Sequence, residues 1–118
     1  MKRDFTGLTL GQKQRLFVYM KAQLISWAYE NGYELTDGDA YRDPRVFGEQ
    51  GQGSTYSEKK SAHKWRLAQD FNLFKDGVWL KTTEAHRPLG EFWESLGGTW
   101  GGRWGDGNHY SIEHKGIK

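Results

Sequence analysis

At 118 residues, with 36% hydrophobic and 15% aromatic side chains, the chain is large enough for one modest core and too small to divide into two. Its formal net charge of only +2 is not the footprint of a dedicated nucleic-acid binder. The absence of cysteine excludes disulfides, thiolate catalysis and cysteine-ligated zinc, so any metal must be held by histidines and carboxylates.

The opening Met-Lys-Arg-Asp-Phe-Thr-Gly has no apolar stretch after its basic residues, and no run further on is long enough to cross a bilayer. The expectation is a protein made in the cytoplasm without an export signal and without membrane insertion. Thr9 and Gln12 then have the form of a capping box. Apolar residues follow at Leu16, Met20, Leu24 and Trp27, and Gly32 stands after Asn31 where a left-handed cap would fall. The spacing predicts a helix over residues 10–31. Tyr33, Leu35 and the stretch to Tyr41 read as a short strand interrupted at Asp37-Gly38, with Arg42-Asp43-Pro44 turning into a loop. Residues 45–60 are polar, glycine-rich and without period, which suits the rim of a binding cleft.

From Trp65 the pattern alternates, with Trp65, Leu67, Phe71 and Leu73 on one side and Ala68, Asp70 and Asn72 on the other. Lys75-Asp76-Gly77 supplies a hairpin turn, and Val78, Trp79 and Leu80 return. A second helix follows Pro88, carries Leu89, Phe92, Trp93 and Leu96 on one face and stops at Gly97-Gly98. Thr99 to His114 is broken by glycines and then strand-like. This order predicts one α+β domain over residues 1–118, with helices packed on an antiparallel sheet.

The four histidines can be weighed one by one. His63 precedes the strand that carries Asp70, and His109 opens the last strand after Gly105-Asp106-Gly107-Asn108. The odd offset between His63 and Asp70 places His63 in the loop before the strand, from which it can turn back toward the carboxylate. His114 falls on the opposite face from His109, and His86, at the start of the second helix, is expected to be solvated. Taken singly, each of these residues has a plainer role. A histidine near a strand is more often structural than a ligand, Asp106 is a turn residue of an Asp-Gly pair, and Trp100 and Trp104 pack.

Together the residues say more. Ser61-Ala62-His63-Lys64-Trp65-Arg66-Leu67-Ala68-Gln69-Asp70 resembles the Ser-x-His-x-x-Gly-x-Ala-x-Asp motif of the D-Ala-D-Ala carboxypeptidase and L-alanyl-D-glutamate endopeptidase family. Asp106-Gly107-Asn108-His109 resembles that family's second motif, Asp-x-x-His, and Tyr41-Arg42 resembles its upstream arginine. The resemblance runs from about residue 33 to 114. It implies one zinc ion on His63, Asp70 and His109, with Asp106 as catalytic base, Ser61 toward the substrate and Arg42 either assisting at the oxyanion or binding a substrate carboxylate; the glycines around Asp106 suggest a flexible turn. Two imidazoles and one carboxylate leave a position open for water, the arrangement of catalytic zinc. Arg66 departs from the pattern by standing where the motif has glycine, which would crowd the turn or extend over the cleft.

The expected function is hydrolysis of the L-alanyl-D-glutamate bond in the peptidoglycan stem peptide. The Asp at the base position resembles phage endolysin-like members, which need a holin to reach the wall, and the chain is expected to be a monomer. The rivals are a D,D-carboxypeptidase or D-Ala-D-Ala dipeptidase on the same site, and a non-catalytic wall-binding or virion module.

Overall fold

Helix α1 spans Leu10–Glu30, and its start is set by the capping box. Thr9 Oγ1 accepts from the Gln12 amide at 3.1 Å while Gln12 Oε1 accepts from the Thr9 amide at 2.8 Å. Its end is set by Gly32, whose φ of 85° lets the Tyr33 amide reach back to Ala28 O at 2.9 Å. The chain thereby reverses directly into the sheet. Phe17, Met20, Leu24 and Ala28 are the buried apolar residues of α1, so the core stripe lies slightly to one side of the expected one. Leu16 and Trp27 flank it, and Trp27 stacks on Phe92 at 5.1 Å. The structure, a computed structural model, describes residues 2–38 and 62–118. Tyr41, Arg42, Ser61 and the polar stretch 45–60 lie outside the described residues.

Five antiparallel strands form the sheet: β1 (Glu34–Asp37), β2 (Ala68–Lys75), β3 (Val78–Leu80), β4 (Thr99–Trp100) and β5 (His109–Ser111). The long β2 organises them. β1 covers one of its edges, opposite Phe71–Phe74. The other edge is shared, with β5 opposite Ala68–Asp70 and β3 opposite Leu73–Lys75. Between these two partners the Phe71 amide donates to Asn108 O at 3.0 Å. The β2–β3 hairpin closes on Asp76 and Gly77, with φ of 52° and 76°, the left-handed pair that matches strand twist in a two-residue turn.

The strand begins at Ala68 and not, as the alternation suggests, at Trp65. Ala62–Trp65 is a 3₁₀ turn, and Arg66 leaves it with φ of 59°. A left-handed residue with a Cβ costs roughly 1–2 kcal/mol, which is why glycine suits this position of the motif. The Arg66 side chain is exposed and lines a groove with Gln14, Arg15, Val18 and Lys21 of α1. The departure from glycine therefore costs backbone energy, and among the described residues the Arg66 side chain stands against α1.

Helix α2 spans Arg87–Ser95, with Pro88 in its first turn, and ends where Gly97 (φ 101°) lets the Gly98 amide reach Trp93 O at 3.1 Å. Its Leu89 and Trp93 join Met20 and Leu24 of α1 and Leu73, Trp100, Tyr110 and Ile112 of the sheet region in one core. The α+β class read from the sequence is the class observed. No helix among the described residues is long and apolar enough to cross a membrane.

His86 departs from expectation. It is only 2% exposed, and its Nδ1 lies 2.8 Å from the Tyr110 hydroxyl. Burial pushes its pKa down to about 4. The unfolded chain takes up this proton near pH 6.5 and the folded chain only near 4. Stability is therefore full above 6.5 and falls as the pH drops through that window, by about 3 kcal/mol in all. Urea unfolding in chelator at pH 7 and pH 4.5 should show the loss, and His86→Asn should flatten it. An unchanged slope in the variant assigns the pH dependence elsewhere.

Candidate metal centre

The sheet register brings the first motif to the second. His109 stands directly opposite Asp70 across the β2–β5 pair, and the 3₁₀ turn before β2 turns His63 back over the same point. His63 Nε2 is 3.2 Å and His109 Nδ1 3.6 Å from Asp70 Oδ1. The imidazole rings meet edge to face, with centroids 5.2 Å apart. One potential ligand atom from each of the three residues lies within 4.8 Å of the others, so His63, Asp70 and His109 could together hold a metal ion.

Two observations test that fit. Asp70 Oδ1, which both imidazoles approach, is buried and completes no hydrogen bond of sound geometry, a costly state for a polar atom unless something else satisfies it. Ligands about 2.0–2.1 Å from a tetrahedral zinc ion stand about 3.3 Å apart, close to the separations around Asp70 Oδ1. Burial alone would raise the Asp70 pKa, but contacts with His109 and His63 outweigh it and hold it at about 2. The carboxylate is therefore a charged ligand at neutral pH, and the donor set suits a divalent cation.

Asp106 sits three residues before His109, its Oδ2 4.0 Å from His109 Nδ1, with its side chain half-exposed. The turn expected to be flexible is tied down at each residue. The Asp106 amide donates to Gly101 O at 2.9 Å, and the His109 amide donates to Asp106 O at 3.1 Å. Thr83 Oγ1 accepts from the Gly107 amide at 3.2 Å and donates to Gly105 O at 3.3 Å. Trp100 Nε1 donates to Gly107 O at 2.8 Å. Glycine is needed here for close approach: a Cβ at Gly101 would come within 2.3 Å of Asp106 O. Trp104 is half-exposed beside the His109 ring, at 5.6 Å, as a wall of the site, whereas Trp100 is fully buried.

His114 stands apart from the three, beyond the end of β5 and so not by the strand parity expected: it bridges to Ile117, its Nδ1 is 3.1 Å from Lys13 Nζ and its ring meets Trp65 edge to face. The supports that sequence reasoning missed are Thr83 and the indole of Trp100. Neither leaves a local signal, because each acts on a turn reached only through the tertiary fold.

Beside Asp106, in the gap between β3 and β5, opens a cleft of about 250 Å³ lined by Asn72, Trp79, Lys81, Thr83, His86 and Asp106. A charged carboxylate between two imidazoles, with a second carboxylate at the mouth of a cleft, is the equipment of metal-assisted hydrolysis. Residues 55–112 match the family described as D-alanyl-D-alanine carboxypeptidase. The carboxypeptidase match takes in His63, Asp70, Asp106 and His109, and thus both motifs with the segment between them. It supports a peptidase of that type. No curated protein matches the chain.

Proposed function

We propose that this chain is a zinc peptidase that hydrolyses the L-alanyl-D-glutamate bond of the peptidoglycan stem peptide. In this reading residues 1–118 act as one monomeric domain, a phage endolysin that reaches the wall through a holin. The observation that carries it is the convergence of His63, Asp70 and His109 on one point, with the Asp106 carboxylate beside them. The Asp at the base position, which resembles endolysin-like members, supports the choice of bond.

His63, Asp70 and His109 would hold the zinc, which when bound polarises the scissile carbonyl and makes water a better acid. Asp106 takes up the proton of the attacking water and returns it to the departing nitrogen, a role its half-exposed position permits. Thr83 and Trp100 fix its turn, so that it need not be ordered on substrate binding. Trp104 offers a flat apolar wall to the peptide. Arg42 and Ser61 are proposed to bind the substrate, Arg42 through a carboxylate.

The carboxypeptidase match favours one second reading, removal of a terminal D-Ala at the same site. Zinc analysis of the purified chain and mass spectrometry of digested muropeptides decide between them. One zinc per chain and fragments parted between L-Ala and D-Glu are expected. Loss of terminal D-Ala alone transfers the site to the carboxypeptidase reading, and a chain that takes up no zinc and cuts nothing overturns both.

A further inference from the structure

The cleft beside Asp106 has a cationic side chain that the hydrolytic chemistry does not use. Lys81 follows β3, and its Nζ is 4.5 Å from the centroid of the Trp79 ring, which is itself half-exposed and stacked on Phe74. Lys81 makes no ion pair with a carboxylate among the described residues; the aromatic face is what its ammonium meets there. An ammonium poised over an exposed indole is held in place by the ring quadrupole yet keeps its donors for another group. Thr83 and Asn72 line the same cleft, whose other charged residue is Asp106.

We infer that Lys81 binds the carboxylate carried by the residue on the leaving-amine side of the scissile bond, and so selects for a free acid over an amide at that position. The inference rests on the peptidase reading for its direction. Asp106, as the group that returns the proton to the departing nitrogen, marks the cleft it shares with Lys81 as the place where that nitrogen's residue lies. In stem peptides the carbon bearing that nitrogen carries a carboxylate in either reading: the α-carboxylate of a γ-linked D-glutamate, or the terminal carboxylate of D-alanine. Lys81 offers charge-assisted hydrogen bonds to either, and offsets the repulsion that Asp106 would exert on an acid entering the cleft. An α-carboxamide gives up the charge and gains nothing from Lys81.

The test uses the full zinc-loaded chain and the cleavage products, which cannot be turned over. γ-D-Glutamyl-L-lysine is titrated against its α-carboxamide form, and D-alanine against D-alaninamide, by NMR for the wild type, Lys81→Met and Lys81→Arg. The expected result is a preference of about tenfold for the acid in one of the two pairs, which names the source of the carboxylate. Lys81→Met should abolish that preference and Lys81→Arg should keep it. The same preference in Lys81→Met, or none in either pair for the wild type, overturns the inference. Cleavage of intact stem peptides is measured in parallel. Cleavage without a Lys81-dependent preference leaves the peptidase reading standing and removes Lys81 from it. A Lys81-dependent preference without cleavage does the reverse.

Discussion

Asp106→Asn is expected to keep its zinc and lose peptide cleavage by about 10²–10⁴-fold, the range removed with a positioned general base. Asparagine has the same shape but cannot take up the proton of the attacking water. Asp106 stands outside the group of three potential ligands, with Oδ2 4.0 Å from the nearest imidazole nitrogen, and its side chain is half-exposed, so neither the metal nor the fold should suffer. Asp70→Asn is the contrasting variant. It removes the negative charge from between two imidazoles and should lose the metal along with activity. Zinc content, circular dichroism and muropeptide cleavage measured on both variants separate the roles. If Asp106→Asn cleaves at the wild-type rate, the proton passes through another group; if it is inactive only because zinc is gone, Asp106 is a ligand and not a base.

Gly102→Ala should be among the most destabilising single methyl additions in the chain, at about 3 kcal/mol, the upper end for overpacking, and with a melting temperature lowered by roughly 12 °C. A Cβ at residue 102 would lie 2.1 Å from the Trp100 ring, which Gly90 also approaches so closely that a Cβ there would lie 2.1 Å away. The indole is fully buried and cannot move aside without leaving the core. Moving it also releases Gly107 O and the turn that carries Asp106 and His109, so zinc affinity should fall with stability. Gly105→Ala is the control. Residue 105 has φ of 83°, and a Cβ there would meet nothing within 4 Å, so its cost is only the left-handed strain of roughly 1–2 kcal/mol. Thermal unfolding of the two variants side by side checks the argument; equal losses would mean that the indole clamp contributes nothing beyond backbone strain.

Much of the architecture was legible because it rests on local physics. The capping box at Thr9, the left-handed glycine after Asn31, the Asp76-Gly77 turn and the Gly97-Gly98 stop each act over a few residues and are seen where the sequence puts them. The start of β2 was misread because Trp65 keeps the alternation going by one more apolar residue, while the backbone has already turned at Arg66. His86 was misread for a different reason. A histidine at a helix start looks solvated until the fold brings Tyr110 over it. At the site, the odd spacing of His63 and Asp70 put His63 in the turn before the strand and the motif resemblance joined the two, but the support given by Thr83 and Trp100 crosses between elements and has no period to betray it.

The divided edge of β2 has a consequence for redesign. The proposed metal ligands lie on or next to the half of that edge paired with β5, whereas Trp79 and Lys81 belong to the half paired with β3. The hairpin of residues 75–81 is thus an exchangeable cassette: its turn can be lengthened and its cleft residues Trp79 and Lys81 replaced while the Asp70–His109 register stays pinned by its own partner strand. Selectivity for the incoming peptide and the capacity to hold a metal can then vary independently in one small sheet.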